Sequence, residues 1–216
     1  MAAPIINLHF VRALTILYRT VQYCAMARQI EFDRSLARDK ALVLFWRKGY
    51  QATSLADLLA AMEIGRSSFY AAFGDKRTLF LECLDLFAAR TGAAVQRTRA
   101  ALPPIDALQD FFERNFVGTR AAKGKLGCML VNTILEMAGV DDALSARASQ
   151  HLAAFQAMFE DFLVEAGHEP LRARELAALL MVLNEGIRVS SRRDLPPEEQ
   201  LMPIQATFRL IRNATN

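Results

Sequence analysis

The chain has 216 residues, 53% of them apolar, and a formal net charge of +3. This length allows one or two domains with a sizeable core, and no stretch reaches the ~18–20 uninterrupted apolar residues of a membrane span. The three cysteines have the spacing of neither a zinc site nor a disulfide framework. We therefore expect a protein of the reducing cytoplasm, without membrane association, bound metal or cofactor.

The charge is unevenly distributed along the chain. Residues 26–100 carry 12 Lys and Arg against 8 Asp and Glu, whereas residues 101–216 carry 12 against 15. A local excess of cations suits a surface that binds a polyanion, although an excess of this size also arises by chance.

Residues 1–30 form an apolar N-terminal extension with few charges. The extension lacks the basic start and the small-residue cleavage site of a secretory signal. Two explanations remain open. Translation starts at Met26, so that residues 1–25 come from an artefactual upstream start, or the extension is a genuine helical arm. We favour the start at Met26.

A first helix is predicted over residues 33–48. Asp33 or Ser35 can cap its N-terminus, and an apolar stripe follows at helical spacing. Gly49 then ends the helix, as a residue in the left-handed conformation does. The stripe consists of Ala37, Ala41, Leu44 and Phe45.

Two short helices and a tight turn follow. Ser54 and Asp57 have the spacing of a capping box at the start of a helix, whose apolar face is Leu55, Leu58, Leu59 and Met62. The period breaks near Glu63, and Gly65 can cap the next helix, over about residues 66–72. Phe69 and Phe73 then face inward.

This helix pair suits the DNA major groove, which admits one α-helix and presents donors and acceptors on base edges. The candidate base contacts on the second helix are one cation, two small polar side chains and one small apolar side chain: Arg66, Ser67, Ser68 and Ala71. Longer side chains and the neighbouring helix starts supply the candidate phosphate contacts, which set register rather than sequence: Thr53, Ser54, Tyr70 and Lys76.

Residues 34–80 resemble the DNA-binding domain of the TetR family of transcriptional repressors. The matching residues are Phe45, Gly49, Tyr50, Thr53, Ser54, Leu58, Ile64, Tyr70, Phe73, Gly74, Lys76, Leu79 and Phe80. Glu63 stands where the family often has Gly, so a positive φ there would strain it. The resemblance implies an all-α protein with a three-helix helix-turn-helix head at residues 31–78. An antiparallel helical ligand-binding and dimerisation domain would follow at residues 79–216.

The rest of the chain is predicted to be helical throughout. A fourth helix over residues 76–92 would join the two parts, and Pro103-Pro104 marks the clearest break. Further helices are predicted over residues 105–121, 127–137, 142–166 and 171–193, and a last one from Pro196-Pro197 to about residue 212. No strand-like alternation persists.

The last two helices are the predicted homodimer interface, because the family pairs these helices in a four-helix bundle. The alternative is an ordinary core within one chain. The candidate residues are Leu176, Leu179, Leu180, Leu183, Ile187, Leu201, Ile204, Phe208 and Ile211.

A ligand pocket is predicted among aromatic and methionine side chains of the second part. Residues of these types at helical spacing are more often plain core. The candidates are Phe111, Phe112, Phe116, Met129, Met137, Phe155, Met158, Phe159 and Met181.

Cys128 opens an apolar helix, where the helix N-terminus lowers a thiol pKa. Its Gly-Cys-Met-Leu setting resembles that of some electrophile-sensing repressors of this family. The alternative is a buried, inert cysteine.

No catalytic motif is present: the sequence has no H-E-x-x-H, no nucleophile elbow and no phosphate-binding Gly loop. We therefore expect no enzyme. The prediction is a DNA-binding transcriptional regulator, a homodimeric repressor that binds a palindromic double-stranded operator and is released by an unknown small-molecule effector. The alternative is a helical small-molecule-binding or electrophile-sensing protein with little DNA binding.

Overall fold

A computed structural model of the protein describes residues 32–116, 126–190, 193 and 195–214. The predictions for the extension at residues 1–30 therefore lie outside the described residues. Within these ranges every regular element is a helix, as predicted: α1 (Arg34–Lys48), α2 (Leu55–Met62), α3 (Arg66–Phe73), α4 (Lys76–Arg99), α5 (Pro104–Phe116), α6 (Met129–Met137), α7 (Asp142–Glu165), α8 (Pro170–Ser190) and α9 (Pro197–Asn213). None of the described helices is long and apolar enough to span a bilayer.

Three of the predicted caps of the first helices are present. Ser54 and Asp57 form the capping box of α2, and Gly49 follows α1 with a φ of 83°. Gly65 is the N-cap of α3. Phe69 and Phe73 are buried, with 0% and 2% of their surface exposed. α1, α2 and α3, with the first two turns of α4, make up what we call the head.

α4 is longer than predicted and runs through Gly92 to Arg99. A Cβ on Gly92 would lie 3.6 Å from Met158 Cε and 3.8 Å from Phe155 Cε1, which is ordinary van der Waals contact, so α7 packs against α4 at this point. α4 also crosses the domain boundary predicted after residue 78. Leu79 and Phe80, just beyond that point, are fully buried at its N-terminal end.

The remainder of α4 and helices α5–α9 form what we call the body. α7 packs mainly on α8 and α6, while α5 packs on α4, α9 and α7. An aromatic cluster joins α5, α7 and α9. The ring centroid of Phe112 lies 5.6 Å from those of both Phe159 and Phe208. α8 begins at Pro170, one residue before the predicted start, and Ser190 is its last described residue.

Candidate nucleic-acid interface

The inner face of α3 is anchored in the head by two buried phenylalanines and by an arginine of α1. Phe69 and Phe73 are buried, and Arg34 on α1 reaches the last turn. The Arg34 guanidinium donates to Ala72 O at 3.0 and 3.1 Å and to Glu82 Oε1 at 2.7 Å. It also lies over the Phe73 ring, 4.6 Å from the centroid. The pattern of apolar residues does not indicate this anchor. An arginine at the start of α1 was its only signal.

The outward face of α3 carries the predicted base-contacting side chains. Arg66, Ser67 and Ala71 are exposed, and Ser68 is half-buried. Tyr70 is 48% exposed, with its ring edge-on to Phe69. The helix therefore presents one guanidinium, two hydroxyls and a phenol on one short surface. Their contact with base edges stays a prediction.

The phosphate candidates divide into accessible and inaccessible side chains. Thr53 is fully buried, and its hydroxyl donates to Gly49 O at 2.6 Å, so its side chain cannot reach a phosphate. Ser54 is exposed at the start of α2, and its Oγ accepts from Asp57 N at 3.1 Å. The Ser54 hydroxyl hydrogen remains available for a phosphate oxygen.

Lys76 is only half exposed. Its Nζ lies over the Tyr50 ring, 4.3 Å from the centroid, and burial lowers its pKa. The Tyr50 ring packs in turn on Phe80, with centroids 4.9 Å apart. The stacking fixes the ammonium at the N-terminus of α4, close in sequence to the end of α3.

Two acids near this surface are neutralised by cations. Lys48 Nζ lies 2.8 Å from Asp57 Oδ2, and this bond, with those from Ser54, holds the Asp57 pKa well below its usual range. The guanidinium of Arg77 binds both oxygens of Asp141 at 2.8 and 3.1 Å and lowers the Asp141 pKa to about 2. Each of these two carboxylates therefore has a cationic partner within hydrogen-bond distance.

The turn between α2 and α3 has the strained geometry that the sequence raised as a question. Glu63 is left-handed, with a φ of 58° and a ψ of 39°, and no other non-glycine residue among the described ones has a positive φ. Its carboxylate lies 2.7 Å from Lys40 Nζ on α1.

The body contacts the head directly through α6. Glu136 accepts from Tyr50 N at 2.9 Å and from Gln51 N at 2.7 Å, in the turn between α1 and α2. A cleft of about 390 Å³ opens beside this contact, lined in part by Trp46 and Met129. Sequence reasoning overlooked Glu136. Its signal was that it is the only charged residue in the apolar helix α6.

Most of the predicted pocket residues pack in the core of the body. Among the buried ones, Phe111 and Phe112 lie in the aromatic cluster with Phe159. The side chain of Phe116 lies outside the described residues. Among the pocket candidates whose side chains are described, Met129 alone lines the 390 Å³ cleft. The buried candidates are Phe111, Phe112, Met129, Met137, Phe155, Phe159 and Met181, and Met158 is half-buried.

The predicted interface set mixes two faces of α8 and α9. The core face comprises Leu176, Leu180, Ile187, Ile204, Phe208 and Ile211, each at most 6% exposed. These six side chains are buried within the chain. Leu183 and Leu201 are half-buried. The outer apolar face comprises Leu179, Val182, Val189, Met202 and Leu210, each at least 58% exposed.

Cys128 is the N-cap of α6 and only 2% exposed. This burial suits the alternative of an inert thiol. The other described cysteine, Cys83, is also buried, and burial raises its pKa far above the ordinary value.

Comparison with known proteins agrees with this geometry. Residues 38–83 match the profile of bacterial regulatory proteins of the tetR family. Residues 104–195 match the C-terminal domain of LmrA/YxaF-like transcriptional regulators. The chain belongs to the TetR family of helix-turn-helix transcriptional regulators. This family is not one of enzymes, and the predicted all-α fold with a helix-turn-helix head is confirmed.

Two helix-turn-helix (HTH-type) relatives show how far the similarity extends. The chain is 29% identical over 188 residues to the transcriptional repressor ComR of Escherichia coli, covering 83% of this chain and 89% of ComR. It is 33% identical over 121 residues to the uncharacterized regulator YezE of Bacillus subtilis, covering 56% of this chain and 62% of YezE.

Solved structures have the same arrangement of helices. A cysteine mutant of the TetR-family regulator CifR, complexed with 26-base-pair double-strand operator DNA, is 27% identical. Its TM-score is 0.70, and the alignment covers 85% of this chain and 98% of that one. SCO4454 from Streptomyces coelicolor, at 20% identity and a TM-score of 0.74, shares the fold.

Proposed function

We propose that this TetR-family regulator is a cytoplasmic repressor that binds a palindromic operator as a homodimer and releases it when a small molecule binds the body. The outward face of α3 carries the proposal. It places Arg66, Ser67 and Ser68 on a helix whose opposite face is anchored in the head. ComR is named as a repressor, and CifR was solved on operator DNA.

Base recognition falls to a small set of side chains. An arginine binds guanine O6 and N7 with two hydrogen bonds, and a serine accepts or donates to any base. We assign base contacts to Arg66, Ser67, Ser68 and Ala71. We assign phosphate contacts to Ser54, Tyr70 and Lys76, and leave out Thr53 because its hydroxyl is buried.

Dimerisation is proposed through the outer apolar face of α8 and α9. Single exposed apolar residues are ordinary, but these five recur on two adjacent helices, which suits a buried four-helix contact between subunits. A cleft of about 430 Å³, lined in part by Val182, Leu183 and Pro203, lies between the same two helices. One short recognition helix makes few contacts, so a two-fold pair is needed for tight and specific binding.

The effector would bind in the body. The aromatic cluster around Phe112 is one candidate region, and the other is the cleft between α1 and α6 beside Trp46, which is also lined by charged side chains such as Lys48 and Glu136. Neither region indicates one chemical class.

Selection of bound fragments from the source organism's DNA, followed by footprinting, tests the assignment. We expect a protected palindrome with half-sites one helical turn, ~34–36 Å, or a multiple of it apart. Absence of any preferred sequence in the selected fragments would refute DNA-specific regulation.

Sedimentation of two matched variants tests the dimer. Leu179→Glu introduces a charge on the outer face and should shift the protein to monomer. Val140→Glu changes a side chain of similar exposure, 66% against 60%, in the turn after α6, and should leave the dimer intact. A Leu179→Glu protein that sediments like the parent would rule out this face.

A further inference from the structure

The contact between α6 and the head has an unusual form. Glu136 bonds through both carboxylate oxygens to two consecutive backbone amides, Tyr50 N at 2.9 Å and Gln51 N at 2.7 Å. Hydrogen bonds to an ionised group are about twice as strong as neutral ones. Because the acceptor is a side chain and the donors are main chain, the contact fixes the path of the α1–α2 turn.

The turn is shaped to receive this carboxylate. Gly49 has a φ of +83°, and a Cβ there would lie 2.8 Å from Glu136 Oε2 and 3.0 Å from Oε1. A side chain at position 49 would therefore displace the carboxylate. Gly49 thus serves two purposes, because it ends α1 in the left-handed conformation and leaves space for Glu136.

Two further polar contacts join the same part of the body to the head. Trp46 Nε1 on α1 donates to Gly127 O at 3.1 Å, just before α6. Arg77 binds Asp141, the N-cap of α7, just after α6. The segment from Gly127 to Asp141 therefore contacts the head at its start, near its middle and at its end. Only the central bond engages the turn that leads into α2.

We propose that Glu136 is a positioning residue for operator binding, through which the body sets the orientation of the head. Ser54, a proposed phosphate contact, follows Gln51 by three residues, so the turn that Glu136 holds leads directly into the DNA-facing surface. In the dimer of the proposed function, on which this inference rests, the orientation of each head sets the separation of the two α3 helices. Glu136 then determines which half-site spacing the dimer accepts.

Operators with altered spacers test this role. The operator obtained by genomic selection is remade with one base pair added to or removed from its centre, which shifts one half-site by ~3.4 Å and rotates it by about 35°. Kd is measured by fluorescence anisotropy for the parent protein and for Glu136→Gln. Gln keeps the shape of the side chain but offers one acceptor oxygen in place of two.

Asp106→Asn is the matched control. The Asp106 carboxylate accepts a hydrogen bond from Arg212 at 2.6 Å, and this ion pair joins α5 to α9. The variant therefore loses one carboxylate and its ion pair within the body and leaves the head unchanged. Glu136→Asp serves as a second test variant, since it keeps the charge but shortens the reach by one methylene. Circular dichroism and thermal unfolding record the helicity and stability of each protein.

We expect the parent and Asp106→Asn to lose about tenfold in affinity for each spacer change, the scale of one mismatched base pair. Both Glu136 variants should remain helical, and their affinity should fall by no more than ~2-fold for each spacer change. The inference would be overturned if the Glu136 variants distinguished the original spacer from the altered ones as strongly as the parent does. It would also be overturned if Asp106→Asn lost this distinction to the same extent as the Glu136 variants. Failure of the parent to bind a palindrome at all would instead reject the proposed function.

Discussion

Replacing Glu63 tests whether the interhelical turn stores backbone strain. Glu63 has a φ of 58°, and a left-handed conformation costs an L-residue roughly 1–2 kcal/mol. Glycine avoids this cost but loses about 0.5–1 kcal/mol more conformational entropy than alanine on folding. The Glu63→Gly protein should therefore be more stable than the Glu63→Ala protein, with a free energy of unfolding about 0.5–1 kcal/mol higher.

The comparison between these two variants removes the main confounding interaction. The Glu63 side chain is 76% exposed, and its ion pair with Lys40 is lost in both variants. Urea unfolding at one fixed protein concentration gives the difference directly. A difference of about 1 kcal/mol corresponds to ~2–4 °C in Tm for a chain of this size. An alanine variant as stable as the glycine variant would refute the argument from strain.

Three further predictions concern the head and its contact with the body. Arg66→Ala should relax the preference at one base pair of the operator by ~1–3 kcal/mol. Affinities for a library of operators substituted at each position measure this preference, and an unchanged preference would show that the assignment is wrong. Lys76→Met keeps the apolar stem over Tyr50 but removes a cation, so the slope of log Kd against log salt should fall by about 0.9, whereas an unaltered slope excludes a phosphate contact. Asp141→Asn keeps a capping side chain but loses the charge bound to Arg77. Because that bond depresses the Asp141 pKa to about 2, its contribution is complete above the unfolded pKa of ~3.9 and disappears towards pH 2. The difference in unfolding free energy between this variant and the parent should shrink over that interval, and a constant difference would contradict the pKa assignment.

Local signals made the head predictable from sequence. The capping box of Ser54 and Asp57, the glycine after α1 and the glycine before α3 each act within a few residues, so spacing alone locates them. Phe69 and Phe73 are buried as their spacing of four indicates. Thr53 is the exception. A hydroxyl before a helix is often a cap or a surface contact, but here it folds back to Gly49 O.

Longer-range features of the chain were not predictable in the same way. Leu176, Leu179 and Leu180 are all apolar, and α8 is apolar on more than one face. Only the packing of the folded chain distinguishes the buried Leu176 and Leu180 from the exposed Leu179. Glu136 lies 86 residues from its partner Tyr50. No local pattern links an acid on one helix with the amides of a turn so far away. The extension of α4 to Arg99 was also missed, because a glycine inside a helical pattern lowers the expectation that the helix continues.

The shared helix α4 has a mechanical consequence. Its 24 residues, at 1.5 Å each, make a rod about 36 Å long, with its first turns packed in the head and its last turns in the body. A tilt of about 5° at the body end would displace the other end by ~3 Å, close to the ~3.4 Å rise of one base pair. A change in side-chain packing too small to disturb the fold of the body would thus be enough to displace the head by about the rise of one base pair.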